Sequence, residues 1–495
     1  MSQPIDCQST PPAPPLAAPA PRIDALDLLR GIAILGIFLM NTWTMSVPQE
    51  AYTNPAAYNP HWVFGYGFPT GPDSSGGDQT YAQLEPLTGI NRATYTLIHL
   101  FADMKFITTF SILFGAGIVL QSERARKKGH NPWTTHYLRM SILLLFGLCH
   151  TFGFWYGDIL TDYALCGLIL APARLLPPSL LMLVGIVMIA LVTAIDQARV
   201  NDRDLRDQPY TGWISSTLDK FDSFDRDIRA KYSTDKQYYS SENDRELTVY
   251  RGSWWGQITG HRAATSIIGH TTEFLTWTFP RCGGCILLGM ALQKRRFFHA
   301  VWPREAYATI AAMAVPIGWM ISFLGVRFND ATRWNEDWYS FFSLWHLGVE
   351  FNYWGSLLTA FGYISFGVLL AIWAANPARS ILRVALIPIR AVGRMALSCY
   401  LAETLIGTTI FYGHGLGYFG KLTRFQLLPI VLGTWIVILA FATLWLTFFR
   451  QGPFEWFWHS IAYWDWKNPR HAAAGPDASL SPSVAGTAGI RGQDS

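Results

Sequence analysis

Two residues flanking a short turn between apolar stretches have the types and spacing for acid–base chemistry. His150 lies near the end of one stretch and Asp158 begins the next, so a helical hairpin would bring imidazole and carboxylate together. A neutral imidazole held by a carboxylate is a suitable general base for an alcohol nucleophile, or an acyl acceptor itself. We predict that His150 is the base or transient acyl carrier and that Asp158 orients it. The alternative is a histidine with a structural role only.

Asn41 and Lys105 are two further polar residues within apolar stretches. Polar groups inside a membrane-spanning helix are costly unless they meet a partner or water, so each marks a candidate site. We predict that both residues stabilise an oxyanion that develops during the reaction. The alternatives are a hydrogen bond between helices for Asn41, and a side chain that extends to the lipid headgroups for Lys105.

A second group of residues is predicted to bind substrates. Asp27 and Arg30 are three residues apart and share a helix face, where they either bind the phosphates of a donor or lock the helix packing as an ion pair. The other candidates for substrate binding are Tyr163, Glu246, Arg251, Arg262 and Glu403.

The composition indicates that a membrane positions these residues. Of the 495 residues, 50% are hydrophobic and only 15% are charged, which is too apolar for a water-soluble enzyme of this size. The apolar residues form blocks of about 17–25 residues, long enough to cross a hydrocarbon core of about 30 Å. We predict an all-α, polytopic transmembrane helix bundle. Its ten spans would lie at 25–47, 92–121, 135–154, 157–175, 177–196, 264–293, 304–325, 352–375, 395–413 and 426–449.

Basic residues follow every second predicted span. They include Arg124, Arg174, Lys294, Arg379 and Arg450. Because cytoplasmic loops are rich in Lys and Arg, this pattern predicts that both termini are cytoplasmic, the N-in/C-in arrangement. The small net charge of +4 falls mostly in these loops, so the expected partner is a lipid bilayer and not a nucleic acid. A homodimer is compatible with the sequence.

The chain divides into six predicted regions. They are a disordered cytoplasmic leader (1–21), the first five spans with the catalytic candidates (22–196), a small periplasmic insert (197–262), the second five spans (263–450), an interfacial segment (451–469) and a disordered tail (470–495).

The six cysteines do not have the paired spacing of a disulfide scaffold or a zinc site. Cys282 and Cys285 form a C-G-G-C sequence inside an apolar stretch. We interpret it as a close helix contact between small residues, with a redox pair as the alternative. The sequence predicts no structural disulfide and no metal site.

Several segments resemble the YeiB-like family of bacterial inner-membrane proteins. They lie at 22–41, 48–55, 105–117, 150–165, 246–253 and 287–292, with G-R-M-A-L-S-C-Y-L and G-P-F-E-W-F-W near the C-terminus. This resemblance implies a multi-pass protein of the bacterial inner (plasma) membrane.

The first segment is also similar to the opening of heparan-α-glucosaminide N-acetyltransferase and other transmembrane acyltransferases. That resemblance implies acyl-CoA, with acetyl-CoA as the expected form, as the donor substrate. It also implies a role for Asn41, whereas His150 is chosen on chemical grounds because no histidine follows Asn41 sooner than His61.

The sequence therefore predicts an integral membrane acyltransferase. It would move an acyl group from cytoplasmic acyl-CoA to an extracytoplasmic or lipid-linked acceptor, which is a small molecule, a glycan or a lipid. The alternative is a small-molecule transporter or an export-associated membrane protein, in which the same buried groups form a proton or substrate pathway.

Overall fold

The fold is built from helices. The computed structural model describes residues 24–49, 52, 89–204, 213–232, 242–331, 344–463 and 466. Within these ranges every regular element is a helix, so the predicted all-α fold is confirmed. The predicted leader and tail lie outside the described residues.

The helices follow one another with short connections in most of the chain. They are α1 (Asp24–Ser46), α2 (Gly89–Phe101), α3 (Lys105–Lys127), α4 (Pro132–Gly153), α5 (Leu160–Leu170), α6 (Pro178–Asp204), α7 (Trp213–Tyr232), α8 (Glu242–Arg251), α9 (Trp254–Lys294), α10 (Arg304–Ala331), α11 (Leu344–Ala374), α12 (Ser380–Ala385), α13 (Ile387–Arg394), α14 (Ala396–Phe411), α15 (Arg424–Phe448) and α16 (Pro453–Tyr463). Short 3-10 turns lie at Ala171–Leu175, Phe297–His299 and Pro377–Arg379.

Each predicted span coincides with one or two of these helices, which gives a multi-pass membrane protein. Within the described ranges, seven segments are long and apolar enough to cross a bilayer. They contain α1, α2 with α3, α6, α9, α10, α11 and α15. An eighth span results if the amphipathic helices α12 and α13 are joined to α14 across an 84° bend, which the sequence analysis did not foresee. Helices α4 and α5 are shorter or less apolar, so the number of ten spans remains a prediction.

The basic loops gather at one end of the bundle, called here the basic end. The ammonium group of Lys294 donates to the carbonyl of Leu176 at 2.6 Å. The guanidinium of Arg174 lies 3.7 Å above the ring of Trp133. These contacts join the loops after α3, α5 and α9, as the predicted topology requires. The assignment of this end to the cytoplasm rests on the positive-inside rule.

Glycines allow the helices around the centre to touch backbone to backbone. A Cβ atom on Gly115 of α3 would overlap the carbonyl of Ile286 in α9, and one on Gly289 of α9 would overlap the carbonyl of Ile112 in α3. Such reciprocal contacts are typical of membrane bundles, where close packing replaces the hydrophobic effect as the force between helices.

The C-G-G-C sequence forms another close contact. A Cβ on Gly284 of α9 would lie 2.6 Å from the carbonyl oxygen of Gly185 in α6. Cys282 and Cys285 are buried free thiols on either side of it. This geometry supports helix packing as the role of the sequence.

The C-terminal helix α16 is fixed to the start of α14. One carboxylate oxygen of Glu455 accepts the backbone N–H groups of Leu397 at 2.7 Å and of Ser398 at 3.0 Å. The first N–H groups of a helix lack partners within that helix, so a carboxylate from another element caps α14. Trp458 adds a bond from its indole N–H to the carbonyl of Arg139, 2.8 Å away in α4.

The α3–α9 contact predicts that a single added methyl group destabilises the protein. Gly115→Ala should lower the free energy of unfolding by about 1–3 kcal/mol, because the added carbon must push two backbones apart. Gly433→Ala in α15 is the matched control, since a Cβ there meets nothing within 4 Å. Thermal unfolding of the purified proteins in one detergent measures both changes. Equal melting temperatures for the two variants would contradict the proposed contact.

Candidate active site

The α4–α5 hairpin brings His150 and Asp158 together, as their spacing predicts. Nδ1 of His150 lies 2.8 Å from Oδ1 of Asp158, and the two side chains are only 3% and 0% exposed. The other carboxylate oxygen accepts the backbone N–H of Thr161 at 2.7 Å, in the first turn of α5. The backbone of α5 therefore fixes the carboxylate, and the carboxylate fixes one side of the imidazole.

Neither nitrogen of the His150 ring makes a hydrogen bond of ordinary geometry among the described residues, so Nδ1 is held by its 2.8 Å contact with Asp158, and Nε2 has no partner. The ring centroids of His150 and Tyr400 are 5.3 Å apart. The hydroxyl of Tyr400 accepts the backbone N–H of Ile159 at 3.3 Å, which ties α14 to the hairpin. An imidazole held at Nδ1 and unoccupied at Nε2 has the geometry of a general base.

A second imidazole–carboxylate pair lies beside the first. Nδ1 of His270 in α9 lies 2.8 Å from Oδ1 of Asp162, one helical turn after Asp158. Its Nε2 lies 3.1 Å from the hydroxyl of Thr151, the residue that follows His150. The side chains of His270 and Asp162 are 10% and 15% exposed, so this pair is more accessible than the first.

His270 is not among the predicted site residues, although its signal was present in the sequence. Asp162 and His270 are both ionisable residues within predicted spans, which makes each a candidate for a functional site. His270 lies in a segment of α9, Gly269–Gly283, that forms wide π-helical turns, which are frequent at functional sites. We call His150, Asp158, His270 and Asp162 the histidine–aspartate cluster.

Lys105 lies in a separate buried network. Its ammonium group donates to the carbonyl of His99 at 2.8 Å, to the hydroxyl of Ser322 at 3.2 Å and to the side-chain carbonyl of Asn352 at 2.6 Å. These three bonds use all three of its N–H donors. The side chain of Lys105 is fully buried. It therefore does not extend to the lipid headgroups, as the alternative interpretation required.

Asn41 is half-buried near the end of α1. Its backbone carbonyl accepts the hydroxyl of Thr44 at 3.0 Å. Within the described part of the chain, no hydrogen bond joins its amide to His150 or to Lys105. The structure thus does not assemble the four catalytic candidates into one bonded group.

Asp27 and Arg30 form the expected pair near the basic end. Their charged atoms are 3.7 Å apart, and the carbonyl of Asp27 lies against Gly393 in α13. His150 is eighteen residues beyond the start of α4, which at 1.5 Å per residue is about 27 Å from that end. Arg30 can therefore contact only a part of a donor that is far from His150.

Arg251 and Arg262 both donate hydrogen bonds to backbone carbonyl groups. Arg251 donates to the carbonyl of Phe419 at 2.9 Å, and the fully buried Arg262 donates to the carbonyl of Gly153 at 2.7 Å. Because Gly153 ends α4, Arg262 fixes the hairpin that carries His150.

Glu246 completes this part of the structure. One of its carboxylate oxygens lies 3.7 Å from Nε2 of His261, whose Nδ1 is 2.9 Å from the hydroxyl of Tyr250. Burial raises the pKa of Tyr250 well above its usual value, so this phenol stays neutral and can donate to His261. Together with the bonds of Arg251 and Arg262, these contacts fasten the insert to the bundle at the end opposite the basic loops.

Tyr163 and Glu403 differ in the hydrogen bonds that their side chains make. The Tyr163 hydroxyl is 2.8 Å from that of Ser111 and also bonds the carbonyl of Ile107, so it links α5 to α3. Glu403 is 1% exposed, and neither carboxylate oxygen has a hydrogen-bond partner among the described residues. It lies three residues after Tyr400 on α14, which is about one turn from the ring that contacts His150.

Comparisons with known proteins give the family context. Residues 292–465 match the model of a family described as "Protein of unknown function (DUF418)". The chain is 28% identical to "Uncharacterized protein YeiB" of Escherichia coli (strain K12), over 88% of this chain and 95% of the relative. The predicted resemblance to the YeiB-like family is confirmed.

A second relative of the chain comes from Bacillus subtilis (strain 168). The chain is 27% identical to "Uncharacterized protein YxaH" of Bacillus subtilis (strain 168), over 90% of this chain and 95% of that protein. No solved structure matches the chain. These full-length similarities extend the shared region across the hairpin and the insert, which the family model does not cover.

Metal ligation finds no support in the described residues. No group of three or more His, Cys, Asp or Glu side chains among them could hold an ion.

The two bonds of Asp158 predict different effects for two substitutions. Asp158→Ala should lower the free energy of unfolding by about 1 kcal/mol more than Asp158→Asn. Both remove the charge beside His150, but asparagine keeps an oxygen for the N–H of Thr161. Chemical unfolding in detergent micelles compares the two variants. Equal losses would show that the carboxylate does not stabilise the start of α5.

Proposed function

We propose that this protein is an integral membrane acyltransferase of the bacterial inner (plasma) membrane. It moves an acyl group, with acetyl as the first candidate, from cytoplasmic acyl-CoA to an extracytoplasmic or lipid-linked acceptor. The observation that carries the proposal is the imidazole of His150, held by Asp158 at Nδ1 and unoccupied at Nε2.

The proposed reaction uses His150 as a general base. Nε2 accepts the proton of the acceptor hydroxyl or amine as its oxygen or nitrogen attacks the thioester carbonyl. The carbon–sulfur bond then breaks, and the proton passes to the departing CoA thiolate. Asp158 keeps the Nδ1 proton in place and stabilises the imidazolium that forms between these steps.

The second pair gives the reaction another proton carrier. His270 is held by Asp162 in the same way and is more accessible. Two imidazoles on neighbouring helices, with His270 in contact with the residue that follows His150, suit a reaction that takes one proton from the acceptor and returns one to the leaving group.

The two proposed oxyanion donors differ in whether they must first break a hydrogen bond. The amide of Asn41 is half-buried and is not bonded to any of the other catalytic candidates. Lys105 would have to exchange one of its three bonds for the oxyanion. Its role in catalysis therefore requires a rearrangement on substrate binding.

The donor would bind from the basic end. The phosphates of acyl-CoA would meet Arg30 and the basic loops, while the thioester reaches toward His150, about 27 Å away along α4. The acceptor would approach from the opposite end, where Glu246, Arg251 and Arg262 fasten the insert.

A transporter is the second candidate function, and the Lys105 network favours it. The carboxylate of Asp103 lies 2.9 Å from Nδ1 of His99 and accepts the amide of Asn352 at 2.9 Å. Chains of His, Asp and Lys within a bundle mark proton and substrate pathways in pumps and transporters.

His150→Gln should reduce acyl transfer at least 100-fold, because general-base catalysis contributes about 10²–10⁴-fold. The assay uses the full-length protein in nanodiscs with radiolabelled acetyl-CoA, and measures CoA release and labelled product in the presence of membrane and envelope extracts. His136→Gln is the matched control. This buried histidine lies on the same helix, but its Nε2 bonds the carbonyl of Gly167.

Full activity of His150→Gln would refute the proposed role of this residue. No transfer by the wild type, with short and long acyl donors both tried, would favour transport. Gradient-driven uptake into proteoliposomes would then be the deciding assay.

A further inference from the structure

A buried arginine at the centre of the bundle has no counter-charge among the residues that the structure describes. Arg281 of α9 is 3% exposed, and its guanidinium donates to the hydroxyls of Thr108 at 3.1 Å and Ser356 at 2.9 Å. It also lies 4.1 Å above the ring of Tyr353. No carboxylate of the described chain lies within ion-pair distance of it.

A second cation, Lys105, lies one helical turn away in the same interface between α3 and α11, which we call the seam. Thr108 follows Lys105 by three residues on α3, and Ser356 follows Asn352 by four on α11. The groups that bind Arg281 are therefore stacked on those that bind Lys105, with both cations between α3 and α11. Lys105 also bonds neutral oxygens only.

The nearby negative charge is already engaged. Asp103 precedes Lys105 by two residues, and its oxygens are bonded by His99, Asn352 and the hydroxyl of Tyr52 at 3.1 Å. Glu350 on α11 is engaged as well, since it accepts the hydroxyl of Thr193 at 2.8 Å, and neither carboxylate forms an ion pair with Arg281. A charge in the interior of a membrane protein is costly unless it is paired, so an unbalanced arginine at this depth marks a functional site.

The surrounding groups suit one kind of ligand. The planar guanidinium binds carboxylate or phosphate with two parallel N–H bonds, and the ammonium adds a point charge. The hydroxyls of Thr108 and Ser356 donate to the backbone carbonyls of Met104 and Tyr353, and they can turn these donors toward an anion when it arrives.

We propose that Lys105 and Arg281 bind an oxyanion group, a carboxylate or phosphate, of a ligand inside the bundle. Thr108 lies nineteen residues before the end of α3, about 28 Å from the basic end, so the ligand enters from the opposite end. The site shares Lys105 with the proposed acyl transfer but does not require that reaction, since either an acyl acceptor or a transported solute can carry the anionic group.

The test measures ligand-dependent stability of the full-length protein in nanodiscs. The probes are inorganic phosphate, pyrophosphate and succinate in pure phosphatidylcholine, and phosphatidylglycerol added to the same nanodiscs. At least one probe should raise the melting temperature of the wild type. Arg281→Gln should abolish that rise, and Lys105→Gln should weaken the apparent affinity at least tenfold.

Arg139→Gln is the matched control. Arg139 is also stacked on an aromatic ring, with its guanidinium 4.0 Å from the ring of Trp458, but it lies outside the basic loops and contacts neither Lys105 nor Arg281. This variant should keep the response to the anion. A response to soluble anions identifies a solute as the ligand, and a response to phosphatidylglycerol alone identifies a lipid headgroup.

The proposal is overturned if no probe stabilises the wild type, or if the stabilisation persists in Arg281→Gln. The same assay on His150→Gln separates this site from the proposed reaction. That variant should lose acyl transfer and keep the anion response, so the two proposals can fail independently.

Discussion

Hydrocarbon offers no hydrogen bonds, and this constraint explains most of the polar structure within the bundle. Each buried polar side chain must find its partner on another part of the chain. Arg262 does so with the carbonyl that ends α4, and Tyr163 with a hydroxyl of α3. Among the described residues, Nε2 of His150 lacks a hydrogen-bond partner and Arg281 lacks a counter-charge. Residues of this kind point to function.

The close approach of backbones makes this arrangement possible. Helices α3 and α9 touch at Gly115 and Gly289, and α9 carries both His270 and Arg281. The same contact therefore sets the position of one histidine of the cluster and of the central arginine. Between hydrocarbon-embedded helices, packing is a main source of attraction, so small residues at these crossings position the chemical groups.

The charged groups divide the molecule into two ends. Basic loops lie at one end, where contacts such as that between Lys294 and Leu176 hold them together. The histidine–aspartate cluster and the insert lie toward the other end. A ligand with phosphates is attracted to the first end, whereas the acid–base groups lie near the second. This separation suits a protein that acts on molecules from both sides of the bilayer.

The sequence alone determined what depends on neighbours along the chain. Hydropathy located the helices, and the basic residues predicted which loops share an end. The pairing of His150 with Asp158 followed from a hairpin only eight residues wide. Tertiary structure decided the pairs between distant segments, such as His270 with Asp162, 108 residues apart, and Lys105 with Asn352, 247 residues apart. The angle and register at which two helices cross select those partners, and a pattern within one helix does not specify either quantity.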